Sequence, residues 1–173
     1  MTTRFNRIAL LLLLFVFVAP DEFAQTQGTR DAQITLRHYI DLRLNWADWN
    51  VYSKFITWPD EPGWDCWWVT TDYVAGQARG NSKRVVIPVT YKRLGMFCVD
   101  AQFEPGQMAD TVKYELIREH GEWKIDGPTP DRPYVGLHAV RNNLSKTISD
   151  ASESPERRAK ARDALALIEK LSK

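Results

Sequence analysis

No proline or glycine interrupts residues 31–57, and within that stretch apolar side chains return at steps of three and four. Tyr39, Leu42, Trp46, Trp49, Ser53 and Ile56 fall on one helical face, and Ile40, Leu44, Val51 and Phe55 widen it. This is the period of a helix and not of a strand. The width of the stripe predicts a helix covered on more than one side, either continuous or broken near Asn45. Pro59, Pro62 and Gly63 end it. Whatever the rest of the chain does, it must supply an apolar surface that receives this rod.

Downstream the period changes to two. Residues 67–75 are aromatic and β-branched and read as a strand, and 76–82 as a turn region. Residues 84–94 form the next strand, where Pro88 removes a backbone donor and predicts an edge or a bulge. Gly95 separates it from 96–103, in which Phe97, Val99, Ala101 and Phe103 alternate as the inward set. In 110–119, Val112, Tyr114 and Leu116 share one face. A turn at His120-Gly121 leads to 122–126, where Trp123 and Ile125 continue that face. Short connections favour antiparallel pairing, since a parallel crossover needs a dozen or more residues. Residues 134–148 suit a short helix. Ser154-Pro155-Glu156 then supplies a cap, a first-turn proline and an early acid for a last helix striped by Ala161, Ala164, Leu165, Ile168 and Leu171. The expected fold is α+β: a long N-terminal helix packed on a curved antiparallel sheet of four to six strands, with a C-terminal helix.

The start of the chain reads as an address. Arg4 and Arg7 precede twelve apolar residues, 8–19, which matches a secretory leader and is short of the roughly 20 residues a spanning helix needs. Residues 1–24 are assigned as a signal peptide with Ala24 last before the cut, 25–30 as a tether, 31–148 as the domain, and 149–173 as linker and final helix. The expected location is periplasmic or secreted. The alternative, a retained leader, anchors the chain in the inner membrane.

Three stretches, Trp49-Asn-Val-Tyr-Ser-Lys-Phe-Ile56, the Trp-flanked loop Trp58-Pro-Asp-Glu-Pro-Gly-Trp-Asp65, and Thr111-Val-Lys-Tyr-Glu-Leu-Ile117 leading to Gly121-Glu-Trp-Lys-Ile-Asp126, together with the element order, resemble the nuclear-transport-factor-2-like superfamily. The resemblance covers about residues 31–145. It implies a cone-shaped α+β fold in which a curved sheet wraps a helix, as in exported bacterial members of unknown function. Some relatives are isomerases, dehydratases or cyclases, but no catalytic residue carries over.

The chain's 173 residues carry a net charge of +1, which gives no global drive toward nucleic acid or anionic lipid. No nucleic-acid motif, phosphate loop or nucleophile elbow is present. Six of seven tryptophans lie between residues 46 and 68. Trp46 and Trp49 belong to the packed stripe, and Trp58, Trp64, Trp68 and Tyr114 are the candidates for an aromatic ligand surface. The only thiols, Cys66 and Cys98, are either bridged, as an oxidising compartment permits, or buried and unpaired. The histidines have no metal spacing, prolines interrupt Asp60, Glu61 and Asp65, and no cofactor is implied. The leading reading is a non-catalytic domain that binds a small apolar ligand or a protein partner, including a second copy of itself. The runner-up is a lyase or isomerase moving a proton with a pocket carboxylate, for which Asp72, Asp100 and His38 are the candidates. A third makes the last helix a docking element.

Overall fold

The computed structural model describes residues 20–60 and 63–173. The apolar run 8–19 lies outside them, and with it most of the assigned leader. Among the described residues no helix is long and apolar enough to cross a membrane. The chain runs α1 (Pro20–Leu44), α2 (Trp49–Tyr52), β1 (Cys66–Ala75), β2 (Arg79–Gly80), β3 (Arg84–Cys98), β4 (Phe103–Glu119), β5 (Glu122–Gly127), β6 (Tyr134–Gly136), α3 (Leu137–Ser149) and α4 (Pro155–Leu171). The expected α+β architecture is present, with α1 on one face of a curled sheet.

Helix α1 is longer than its sequence pattern suggests. Residues 25–30, expected as a tether, are helical. Gly28 is buried there, 3.8 Å from the Trp123 ring as measured from the position of a Cβ built on it, which places this turn of α1 beside β5. The rod does break near Asn45. The N–H of Ala47 donates to the Leu42 carbonyl and that of Trp46 to the Arg43 carbonyl, both at 3.0 Å. That pairing closes a helix through one left-handed residue, here Trp46 with φ 58°.

The sheet order is β5-β4-β3-β1-β6, with β2 pairing β3. β1, β3, β4 and β5 are antiparallel neighbours, and the β4–β5 hairpin turns through His120 and Gly121 at φ 50° and 90°, as two-residue turns of matching twist require. The sheet is mixed, because β6 adds parallel to β1 beside Trp68, Val69 and Thr70. Residues 134–136, expected as the start of a helix, are therefore a strand. Pro88 sits where β3 lacks a strand on one side: pairing with β1 ends at Val89 and pairing with β2 begins at Val86.

Two apolar cores flank this sheet. Ala32, Leu36, Tyr39 and Ile40 of α1 pack with Val85, Ile87, Val89, Tyr91, Tyr114, Leu116, Trp123 and Ile125. On the opposite face Val69, Leu94, Phe97 and Phe103 pack with Ala139, Val140 and Leu144 of α3 and Ala161, Ala164 and Ile168 of α4. One face of the final helix is thus part of a core. β1 and β3 serve both cores because each carries a bulge, between Val69 and Asp72 and between Arg93 and Gly95. One extra residue reverses which side chains face which way. Residues 84–98, expected as two segments parted by Gly95, form one bulged strand. A side chain at Gly95 would lie 2.3 Å from the Glu104 carbonyl oxygen. Val99, expected inside, is 49% exposed, because the chain leaves the strand at Cys98 and turns through Ala101 at φ 64°.

Cys66 and Cys98 face each other across β1 and β3 and are bridged, with sulfurs 2.07 Å apart. The disulfide is compatible with an oxidising compartment.

Candidate functional site

The end of α1 opens into a cavity of about 380 Å³, lined by Arg43, Trp46, Asp48, Trp49, Trp64 and Trp67 among others. Each wall has a local cause. Trp46 is thrown outward by the left-handed turn and rests on Trp67 of β1 (centroids 5.0 Å) and Phe97 of β3 (5.9 Å). Trp49 opens α2 and meets Tyr52 edge-on at 5.4 Å. Trp64 is anchored by its indole N–H, which donates to the Pro130 carbonyl at 3.2 Å. The Arg43 guanidinium lies over the rings of Tyr52 (4.2 Å) and Trp64 (5.0 Å). The volume falls in the range of small-ligand sites, which are mostly apolar with a few placed polar groups.

Behind Arg43 lies a second space of only about 10 Å³, lined by Tyr39, Tyr91, Tyr114 and Tyr134 between α1 and the sheet. It holds at most about one water. The Tyr91 and Tyr114 hydroxyls pair at 2.9 Å, and the Tyr91 and Tyr134 rings stack at 3.7 Å. Burial raises the pKa of Tyr39, Tyr91 and Tyr114. The Tyr134 hydroxyl donates to Asp110 at 2.5 Å, and Arg93 holds the same carboxylate at 3.3 Å. Asp110, which sequence reasoning passed over, is a staple joining β3, β4 and β6.

Comparison with protein-family models, curated proteins and solved structures finds no match. The site stands on its geometry alone.

The sequence-predicted residues are scattered. Asp72 is exposed on β1, 3.5 Å from Lys92. Asp100 is not in a strand: it is exposed in the β3–β4 turn and accepts from the Gln102 N–H at 3.3 Å. His38 is exposed on α1, its ring 4.9 Å from Phe55. None of the three, named as candidates for the enzyme alternative, lines either space. Among the described residues no cluster suits a metal ion; Asp60 and Asp65 are exposed, and Glu61 lies outside the described residues.

Of the ligand candidates, only Trp64 lines the cavity. Trp58 packs half-buried against the α1 core, its indole N–H buried without a partner among the described residues. Trp68 lies under the guanidinium of Arg93 at 3.7 Å. Tyr114 is sealed in the tyrosine chamber. Trp46 and Trp49, assigned to packing, are half-buried and also form walls, as does Trp67. Arg43 was missed. Its signal was a cation four residues after Tyr39, on the stripe that packs.

Proposed function

We propose that this chain is an exported, non-catalytic domain that binds a small, largely apolar ligand in the tryptophan cavity. The observation that carries the reading is four indoles around one open space of about 380 Å³. Indoles bury 150–250 Å² each in ordinary packing; here they are left half-buried around an opening. The disulfide and the basic, apolar start of the chain support export, and the curled sheet around α1 supports a nuclear-transport-factor-2-like domain over about 31–148.

Ligand binding is favoured over a protein partner docked on the sheet. The uncovered half of the outer sheet face carries Thr90 bonded to Thr111, Lys92 paired with Asp72, and Arg84 paired with Glu115. Apart from the exposed Val74 beside Thr90, that is a polar, solvated surface. The lyase or isomerase alternative has little support, because the space inside the cone holds no substrate-sized volume and the candidate carboxylates sit outside it.

The test is native mass spectrometry of protein purified from a periplasmic fraction, with calorimetric titration of planar aromatic compounds. A bound small molecule, weakened at least tenfold in Trp67→Ala, supports the reading. An empty protein that binds none of the compounds at millimolar concentration overturns it.

A further inference from the structure

Arg43 stands in the wall between the two spaces and lines both. Among the described residues no carboxylate comes within ion-pair distance of it. The faces of Tyr52 and Trp64 attract its charge but do not neutralise it. The other charged lining group, Asp48, is exposed and makes no capping hydrogen bond to α2, so it belongs to the mouth while Arg43 belongs to the inner wall. The Trp64 N–H is already committed to Pro130. A sugar would bring several hydroxyls to walls with few partners left. A flat aromatic body asks for none.

Resting on the reading of this cavity as a ligand site, we infer that its ligand is a planar aromatic carboxylate. The ring lies among the indoles, and the anionic group turns inward onto Arg43, away from Asp48. A guanidinium suits this better than an ammonium would, because its fork matches the two oxygens of a carboxylate and its plane rests on aromatic rings.

Three probes of one shape test it by calorimetry at low salt: 2-naphthoate, 2-naphthamide and 2-naphthylmethylammonium. The naphthoate is expected to bind about tenfold or more tighter than the amide, as charge-assisted hydrogen bonds require. Arg43→Gln should erase that preference by weakening the naphthoate far more than the amide, whereas Asp48→Asn should tighten the naphthoate severalfold. If the amide binds as well as the naphthoate, or the preference survives Arg43→Gln, the anion inference falls while the cavity reading stands. If no probe binds at millimolar concentration, both fall. Should Arg43→Gln fail to fold, Asp48→Asn decides, and its failure to tighten the naphthoate overturns the inference.

Discussion

Trp46 meets two opposed demands. Its ring closes one wall of the cavity against Trp67 and Phe97, while its backbone occupies a left-handed conformation that costs an L-residue roughly 1–2 kcal/mol. Trp46→Gly and Trp46→Ala lose the same ring, but only alanine keeps the backbone penalty. The glycine variant is therefore expected to be the more stable by about 1 kcal/mol, the reverse of the order in a helix interior. Urea midpoints of the pair measure it, and an equal or more stable alanine variant would contradict it. Tyr91 and Tyr114 give a second residue-scale expectation. Tyr91→Phe or Tyr114→Phe alone strands one hydroxyl in a space with almost no room for water, at about 1–2 kcal/mol each. The double variant should cost clearly less than the sum, so a thermal double-mutant cycle that adds linearly would rule out the pairing.

At the scale of elements, the bulges decide the fold. Gly95→Ala would press a methyl group into the Glu104 carbonyl and the Phe103 ring, and should lower stability by about 2 kcal/mol or more, as overpacking against backbone does; a neutral urea midpoint would show that the bulge relaxes. The Cys66–Cys98 bridge closes 32 residues of separation, worth roughly 3–4 kcal/mol in the chain-entropy model. Cys66→Ala/Cys98→Ala should show that loss in chemical denaturation, with its far-ultraviolet spectrum unchanged. The bulges also explain what the sequence hid. Patterns that keep one phase were legible: Tyr39 and Ile40 on α1, Tyr114 and Leu116 on β4, Trp123 and Ile125 on β5 are all buried as expected. A one-residue slip leaves no mark in a periodicity, so β3 was cut in two at Gly95; Val99 was placed inside because its alternation with Phe97 does not show that the strand ends at Cys98. The short parallel strand β6 owes its position to tertiary contact, and three residues carry too little pattern to announce it. The cavity was half legible. The tryptophan cluster was plain, but which rings form its walls depends on the turn at Trp46, and Arg43 was overlooked because a cation on a packed stripe reads as surface.

For the whole molecule, the tyrosine chamber sets an alkaline limit. Burial raises the pKa of Tyr39, Tyr91 and Tyr114 above the ordinary value near 10, and burial, reinforced by Asp41, pushes Tyr73 up to about 12. A raised value means that the native chain holds these protons more tightly than the unfolded chain. Stability is therefore untouched below about pH 9 and falls above about pH 10, by roughly 1.4 kcal/mol per pH unit for each fully buried tyrosine that stays neutral. Tyrosinate absorbance should rise late, in step with the loss of near-ultraviolet dichroism. Full ionisation near pH 10 in a still-folded protein would refute it. The bulged strands carry a last consequence. β1 and β3 lend one part of their length to the layer under α1 and another to the layer under α3 and α4, so two strands tie the layers together. The molecule has no seam to open along: a tug that loosens one side runs down the same two threads and unpicks the other.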